Sequence, residues 1–209
     1  MTDETSTPAA LVDAGRVLFG RHGYDGTSVR SLTRRAGANL GAVTYHFGSK
    51  EALYDAVLAS GLEPLAAGVS EIASQPGGPL DRVEWVVRLC CAYLAENPDV
   101  PRLLVRQMAG GSNLPEPAQT ALSRIQTTLA DVIEDGQSTG AIRAADPQLL
   151  AMSVLAEPVQ RCLRWQPSPA ERESDSGTTA EPDVDEHTVE FVLAGLRQAE
   201  PPRGAHIRR

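Results

Sequence analysis

Apolar side chains recur at steps of three and four residues through most of the chain, the spacing of one helix face. Leu80, Val83, Val87, Cys90 and Leu94 follow it. So do Ala118, Leu122, Ile125, Leu129, Val132 and Gly136, and again Leu149, Met152, Ala156, Val159 and Leu163. Residues 83–88 (VEWVVR) would pass for a strand in isolation, but they sit inside the first of these runs. The pattern predicts an all-α chain of about nine helices.

Punctuation sets the expected boundaries. A first helix over residues 8–22 stops at Gly23. A second, over 28–36, is capped by Thr27 and stopped by Gly37, and a short third over 40–47 takes Asn39 as N-cap. A fourth follows the cap Ser49 and runs to about residue 74, where Gln75-Pro-Gly-Gly-Pro breaks the pattern. Helices are then expected to residue 96, over 101–108, 115–138 and 147–165 (with a kink at Pro158), and over 184–199. Residues 1–7 and 201–209 read as loose tails. The polar, Pro- and acid-rich stretch 167–183 reads as a disordered loop. Two units are expected: 8–54 and 55–200.

Charge divides the chain at the same place. The total is −8 over 209 residues, which alone argues against a nucleic-acid partner. Residues 8–50, however, carry six basic side chains against two acidic ones, and residues 51–209 carry 13 against 23. A small basic module is attached to an acidic body. Lys50 is the only lysine; every other cationic side chain of fixed charge is an arginine. Nothing reads as a membrane span or a secretory signal, so a cytoplasmic location is expected.

Within the basic module, residues 27–47 read TSVRSLTRRAGANLGAVTYHF. Two short helices flank a turn containing Gly37. Val29, Leu32 and Ala36 share one face, and Val43 and Phe47 another. Both faces suit packing on Leu11, Ala14, Leu18 and Phe19 as a helix-turn-helix. The outer side of the second helix would carry Leu40, Gly41, Thr44 and His46. Small residues there admit close approach to a major groove, and Thr44 could reach a base edge or a phosphate. The helix starts at Thr27–Ser28 and Ser49–Lys50 suit phosphate oxygens.

Residues 8–58 resemble the DNA-binding domain of tetracycline-repressor (TetR) family regulators. The resemblance rests on Phe19…Gly23-Tyr24, Gly26-Thr27-Ser28, Ala36-Gly37, and Tyr45-His46-Phe47 followed by Ser49-Lys50-Glu51-Ala52-Leu53. It implies that the third helix reads DNA, that Tyr45 and Lys50 contact phosphates, and that Arg30, Leu40, Gly41 and Thr44 lie near bases. His46 and Phe47 match positions more often used for packing. It also implies a homodimer on palindromic double-stranded DNA, joined through the helices near 147–165 and 184–199, with a small-molecule effector in the C-terminal domain. The expected DNA-facing set is Thr27, Ser28, Arg30, Asn39, Leu40, Gly41, Thr44, Tyr45, His46 and Lys50. Tyr45 has an alternative as a core aromatic, and Arg30, Arg34 and Arg35 as a solvated face.

Trp85, Leu89, Tyr93, Met108, Leu129, Met152 and Trp165 could line an apolar effector pocket, or could simply be core. Cys90, Cys91 and Cys162 suit buried thiols in a reducing compartment, with a redox sensor as the alternative. The four histidines show no metal-ligand spacing, and no cofactor or catalytic motif is present. The function expected is a repressor released from DNA by an apolar or amphipathic ligand, not an enzyme. The alternative is a regulator that is effector-independent or responds to thiol oxidation.

Overall fold

The computed structural model describes residues 6–109, 113–164 and 184–197, apart from the side chains of Ser6, Thr7, Met108 and Val184. The described residues form α1 (Ser6–His22), α2 (Val29–Ala36), α3 (Ala42–Phe47), α4 (Lys50–Ala73), α5 (Pro79–Glu96), α6 (Asp99–Ala109), α7 (Glu116–Ser138), α8 (Pro147–Arg164) and α9 (Val184–Leu196), with no strand among them. The all-α expectation holds. The first helix begins at Ser6, inside the stretch read as a tail. Expectations for residues 1–5, 167–183 and 201–209 lie outside the described residues.

Two caps differ from those expected. Ser28, not Thr27, caps α2: its hydroxyl accepts from the Ser31 amide, and the Ser31 hydroxyl accepts from the Ser28 amide. This reciprocal pair satisfies two helix-start donors at once. The cap position of α3 is Gly41 and makes no side-chain bond, so Asn39 is not the N-cap. Ser49 caps α4 as expected, accepting from the Ala52 amide at 3.0 Å.

Helix α4 is the central element. Leu53, Val57, Leu58, Leu62, Leu65, Ala66 and Val69 are buried at helical spacing, and the helix packs against α1, α3, α5, α6 and α7. At 24 residues it is long and apolar enough to cross a membrane. Its buried stripe instead accounts for its composition as a core helix. Close approach needs missing side chains: a Cβ on Gly15 of α1 would stand 2.6 Å from Val57 Cγ2, and one on Gly68 of α4 2.8 Å from Leu89 Cδ2 of α5.

Pro64 lies inside α4. It has no N–H to give the Ser60 carbonyl, so one rung of the helix ladder is missing. One turn before it, the Gly61 carbonyl accepts a hydrogen bond from the Tyr93 hydroxyl of α5 at 2.7 Å. On the same glycine, a Cβ would stand 3.0 Å from Val100 Cγ2 of α6. Helices α4, α5 and α6 therefore meet beside the missing rung.

Polar ties join α6 to α1. Arg16 Nε donates to Asp99 Oδ2 at 2.8 Å and Arg16 Nη2 to Asn97 Oδ1 at 2.7 Å. The Asp99 carboxylate holds the Arg16 guanidinium above its ordinary pKa. Arg106 reaches the Phe19 and Arg21 carbonyls at 3.3 and 3.4 Å, in the last turn of α1, where the Phe19 carbonyl also accepts from the Gly23 amide.

Both ends of α9 are tied to the rest of the body. Asp185 pairs with Arg161 at 2.7 Å and Glu186 with Arg88 at 2.8 Å. At the other end, Arg143 donates its amide to the Leu196 carbonyl at 2.9 Å and its Nε to Gly195 at 2.7 Å. Leu149 and Met152 of α8 and Phe191 of α9 are nevertheless more than half exposed.

Candidate nucleic-acid interface

Helices α2 and α3 stand on a shared apolar base. Leu32, Ala42 and Val43 are buried, and Val29, Ala36 and Phe47 pack against the same core, with Leu11 and Phe19 of α1 beneath. Gly37 ends α2 at φ 68°, a left-handed conformation that glycine adopts without steric cost, and its amide reaches the Arg34 carbonyl at 3.4 Å. Phe19, Tyr24 and Tyr54 form an aromatic cluster with ring centroids 5.0–6.1 Å apart, joining α1 and the following turn to α4.

The outer side of α3 and its approach is bare. Leu40, Gly41, Thr44 and Tyr45 are exposed together, with Asn39 beside them and Arg30 exposed on α2. Tyr45 is 80% exposed and touches the His46 ring edge-on at 4.8 Å, which removes the core-aromatic alternative. His46 is half-buried. At Gly41, φ is −80° and a Cβ would meet only Asn39 Oδ1 at 3.5 Å, an ordinary contact. Nothing inside the chain requires glycine there. Gly41→Ala is therefore expected to leave the thermal midpoint within about 2 °C while weakening DNA binding roughly tenfold, by crowding the groove-facing backbone. Thermal melts and a binding titration check it; unchanged affinity would remove Gly41 from the interface.

Three expected residues already have partners within the chain. Thr27 is only 2% exposed, and its hydroxyl donates to the Gly23 carbonyl at 2.8 Å. It builds the turn and does not face a phosphate. Ser28 is exposed, with its hydroxyl committed to the cap. Lys50 Nζ donates to the Tyr24 and Thr27 carbonyls at 2.9 and 3.1 Å and lies 3.9 Å from the centre of the Tyr24 ring. Arg34 and Arg35 are exposed in the last turn of α2, where a cation suits the helix dipole.

Four of the expected effector-pocket residues make packing contacts inside the body, and a fifth faces outward. Leu129 is fully buried core. Leu89 fills the notch at Gly68, Trp85 lies against Gly77, and the Tyr93 hydroxyl is held by Gly61. Met152 faces outward beside Leu149, so it leaves the pocket set. The Met108 side chain and Trp165 lie outside the described residues. A cleft of about 560 Å3 opens elsewhere, between Gly23–Asp25, Glu51, Tyr54, Asp55 and Arg106–Gln107 with Asn113 and Pro115. None of the expected pocket residues lines it. Burial, then the nearby Glu51 charge, raises the Asp55 carboxyl there.

The cysteines are buried and unpaired by disulfides. Burial pushes Cys90 up to about 12 and Cys91 up to about 11, and raises Cys162. Reactive sensor thiols need the opposite shift. Among the described residues no group of three or more His, Cys, Asp or Glu is arranged to hold a metal.

Comparison with known proteins agrees with the geometry. Residues 11–57 match the family model of bacterial regulatory proteins, tetR family. The transcriptional repressor AcnR of Corynebacterium glutamicum is 36% identical over 67 residues, covering 32% of this chain and 36% of that protein. The match thus spans about a third of AcnR's length. The transcriptional regulator RutR of Escherichia coli K12 is 28% identical over 152 residues, covering 70% of this chain and 69% of RutR. A tetR-family regulatory protein from Rhodococcus RHA1 superposes with a TM-score of 0.75 at 20% identity, covering 95% of this chain and all of that one. AibR, solved with isovaleryl coenzyme A and operator DNA, superposes at 0.68 with 17% identity over 91% of this chain and 98% of its own. Residues 11–57, the helix-turn-helix with its supporting helix α1, thus carry the DNA-binding domain of the TetR family of bacterial regulatory proteins.

Proposed function

We propose that the protein is a homodimeric, DNA-binding repressor of transcription, released from a palindromic operator by a small apolar or amphipathic ligand. One observation carries the reading. The short helix α3 is packed from behind, and Leu40 and Gly41 just before it are exposed together with its Thr44 and Tyr45. A six-residue helix with so much exposed apolar and aromatic surface gains little as a core element. It suits a groove reader, with Arg30 beside it toward the bases and the α2 start for phosphates. The exposed apolar face on α8 and α9 supports the dimer, which would set two α3 helices about 34–36 Å apart.

Ligand control is supported by the ties from α6 to α1 and by the meeting of α4, α5 and α6 at Gly61. Any ligand that moves α6 acts on the base of the reader. DNA affinity then falls only as far as the ligand distinguishes the two arrangements. AibR, a structural relative, was solved with an acyl coenzyme A and operator DNA. An effector-independent regulator is the second reading; Leu129, fully buried as plain core, favours it locally.

The test is genome-wide mapping of bound DNA followed by titration on the mapped duplexes. The expected result is a palindromic site bound as a dimer, with affinity falling steeply as salt rises. Absence of any salt-sensitive binding would end the DNA reading. A thermal-shift screen of apolar ligands separates the ligand-controlled form from the effector-independent one.

A further inference from the structure

We propose that the cleft between the α1–α2 turn, the start of α4 and the end of α6 is a binding site for a small organic cation carrying primary ammonium or guanidinium groups. It is separate from the apolar effector of the reading above, and binding there needs no DNA. The cleft measures about 560 Å3, a size that suits a small molecule. Its walls carry Asp25 from the turn, Glu51 and Asp55 from α4, and Arg106 and Gln107 from α6.

The charge of these walls is unbalanced. Three carboxylates and one guanidinium line the cleft, and the guanidinium donates to the Phe19 and Arg21 carbonyls of α1. Among the described residues, Asp25, Glu51 and Asp55 enter no ion pair. Glu51 has a reason within the fold: it lies in the first turn of α4, where an anion suits the helix dipole. Asp55 has none. It sits one turn further on, half-buried, four residues from a like charge, an arrangement that destabilises a helix. Burial, then the Glu51 charge, raises its carboxyl, so the ionised form is kept at a cost. A cation in the cleft offsets both effects.

Tyr54 points to the same ligand independently. It is only 7% exposed, and its ring is held edge-on by Phe19 and Tyr24. Its hydroxyl opens on the cleft and has no hydrogen-bond partner among the described residues. Burial raises its pKa, and the charges acting on it are those of Arg106 and Asp55, both on the cleft wall. A phenol so deep ordinarily finds a partner. Its oxygen accepts from an N–H, as carboxylates do, and ammonium and guanidinium groups supply several N–H donors each. A metal ion suits the site less: among the described residues no three His, Cys, Asp or Glu converge to hold one.

The test uses the full chain without DNA, titrated with putrescine and agmatine, an alkyl diamine and its guanidino analogue. Butanediol serves as the neutral control and magnesium as the inorganic one, at constant ionic strength. At least one amine should raise the thermal midpoint by about 3 °C or more at about 10 mM, and neither control should match it. By calorimetry, Asp55→Asn should weaken amine binding about tenfold or more, and Tyr54→Phe, which keeps the ring, about 3–10-fold. Glu71→Gln removes the same charge at the far end of α4 and should change affinity less than about twofold. Without ligand, Asp55→Asn should melt no lower than the parent, since it relieves the repulsion from Glu51. Stabilisation by neither amine, or equal stabilisation by magnesium or butanediol, overturns the proposal. So does equal weakening by Glu71→Gln and Asp55→Asn, which would mean diffuse attraction to an acidic surface. An Asp55→Asn protein that melts several degrees lower overturns it too, by giving Asp55 a role in the fold.

Discussion

Carrying glutamate at both Met152 and Phe191, the protein should run as a monomer and lose at least about a hundredfold of its operator affinity. Two linked half-site readers exceed one by about 10²–10⁴ through effective concentration alone. Leu149 and Met152 lie three residues apart on one face of α8, and Phe191 is exposed on α9. Each is more than half exposed in the single chain, so charge there leaves the subunit's own core untouched. The ends of α9 are held by Arg88, Arg161 and Arg143, which keeps the helix on its body while Phe191 faces out. Sedimentation or light scattering gives the mass, and circular dichroism the helicity. A variant that stays dimeric at micromolar concentration and binds like the parent would place the interface elsewhere.

Tyr45→Ala should weaken binding by about 10–100-fold on every duplex tested, with helicity and melting unchanged. The range corresponds to one hydrogen bond to a charged phosphate, about 1.5–3 kcal/mol. Tyr45 makes one intramolecular ring contact, edge-on with His46, and is otherwise open. Little folding stability is therefore at stake. Tyr45→Phe separates the two parts of the side chain: a loss equal to that of alanine assigns the effect to the hydroxyl. Loss on one sequence only would make Tyr45 a base reader.

Local signals were sufficient for the helices and for the reader's outline. Glycine at position 37, the Gln75–Pro79 break and Asn97-Pro98 end their helices as their backbone chemistry dictates. The grouping of Leu32 and Val43 over Leu11 and Phe19 follows directly from helical spacing. What could not be read was which partner a side chain chooses. Thr27 and Ser28 are adjacent capping residues; the turn buries the first and leaves the second to cap. Lys50 finds its acceptors 23 and 26 residues away, beyond any local pattern. Met152 and Leu129 obey the same periodicity, yet one faces outward and the other sits in the core. Periodicity identifies an apolar face and says nothing of whether it meets the chain itself, a ligand or a second copy. The notches at Gly61 and Gly68, filled by Val100 and Leu89, were likewise hidden, because only the folded crossing shows what fills them.

The missing rung at Pro64 gives α4 a mechanical meaning. From Pro64 to Lys50 is 14 residues, a lever arm of about 21 Å at the helical rise. A swing of about 5° about that point carries the helix start, and the reader packed on it, roughly 1.8 Å. Two such levers swinging apart in a dimer open the reader spacing by about 3.6 Å, close to the 3.4 Å rise of one base-pair step. A rotation of that size, taken up at the missing rung, would leave a palindrome one step out of register.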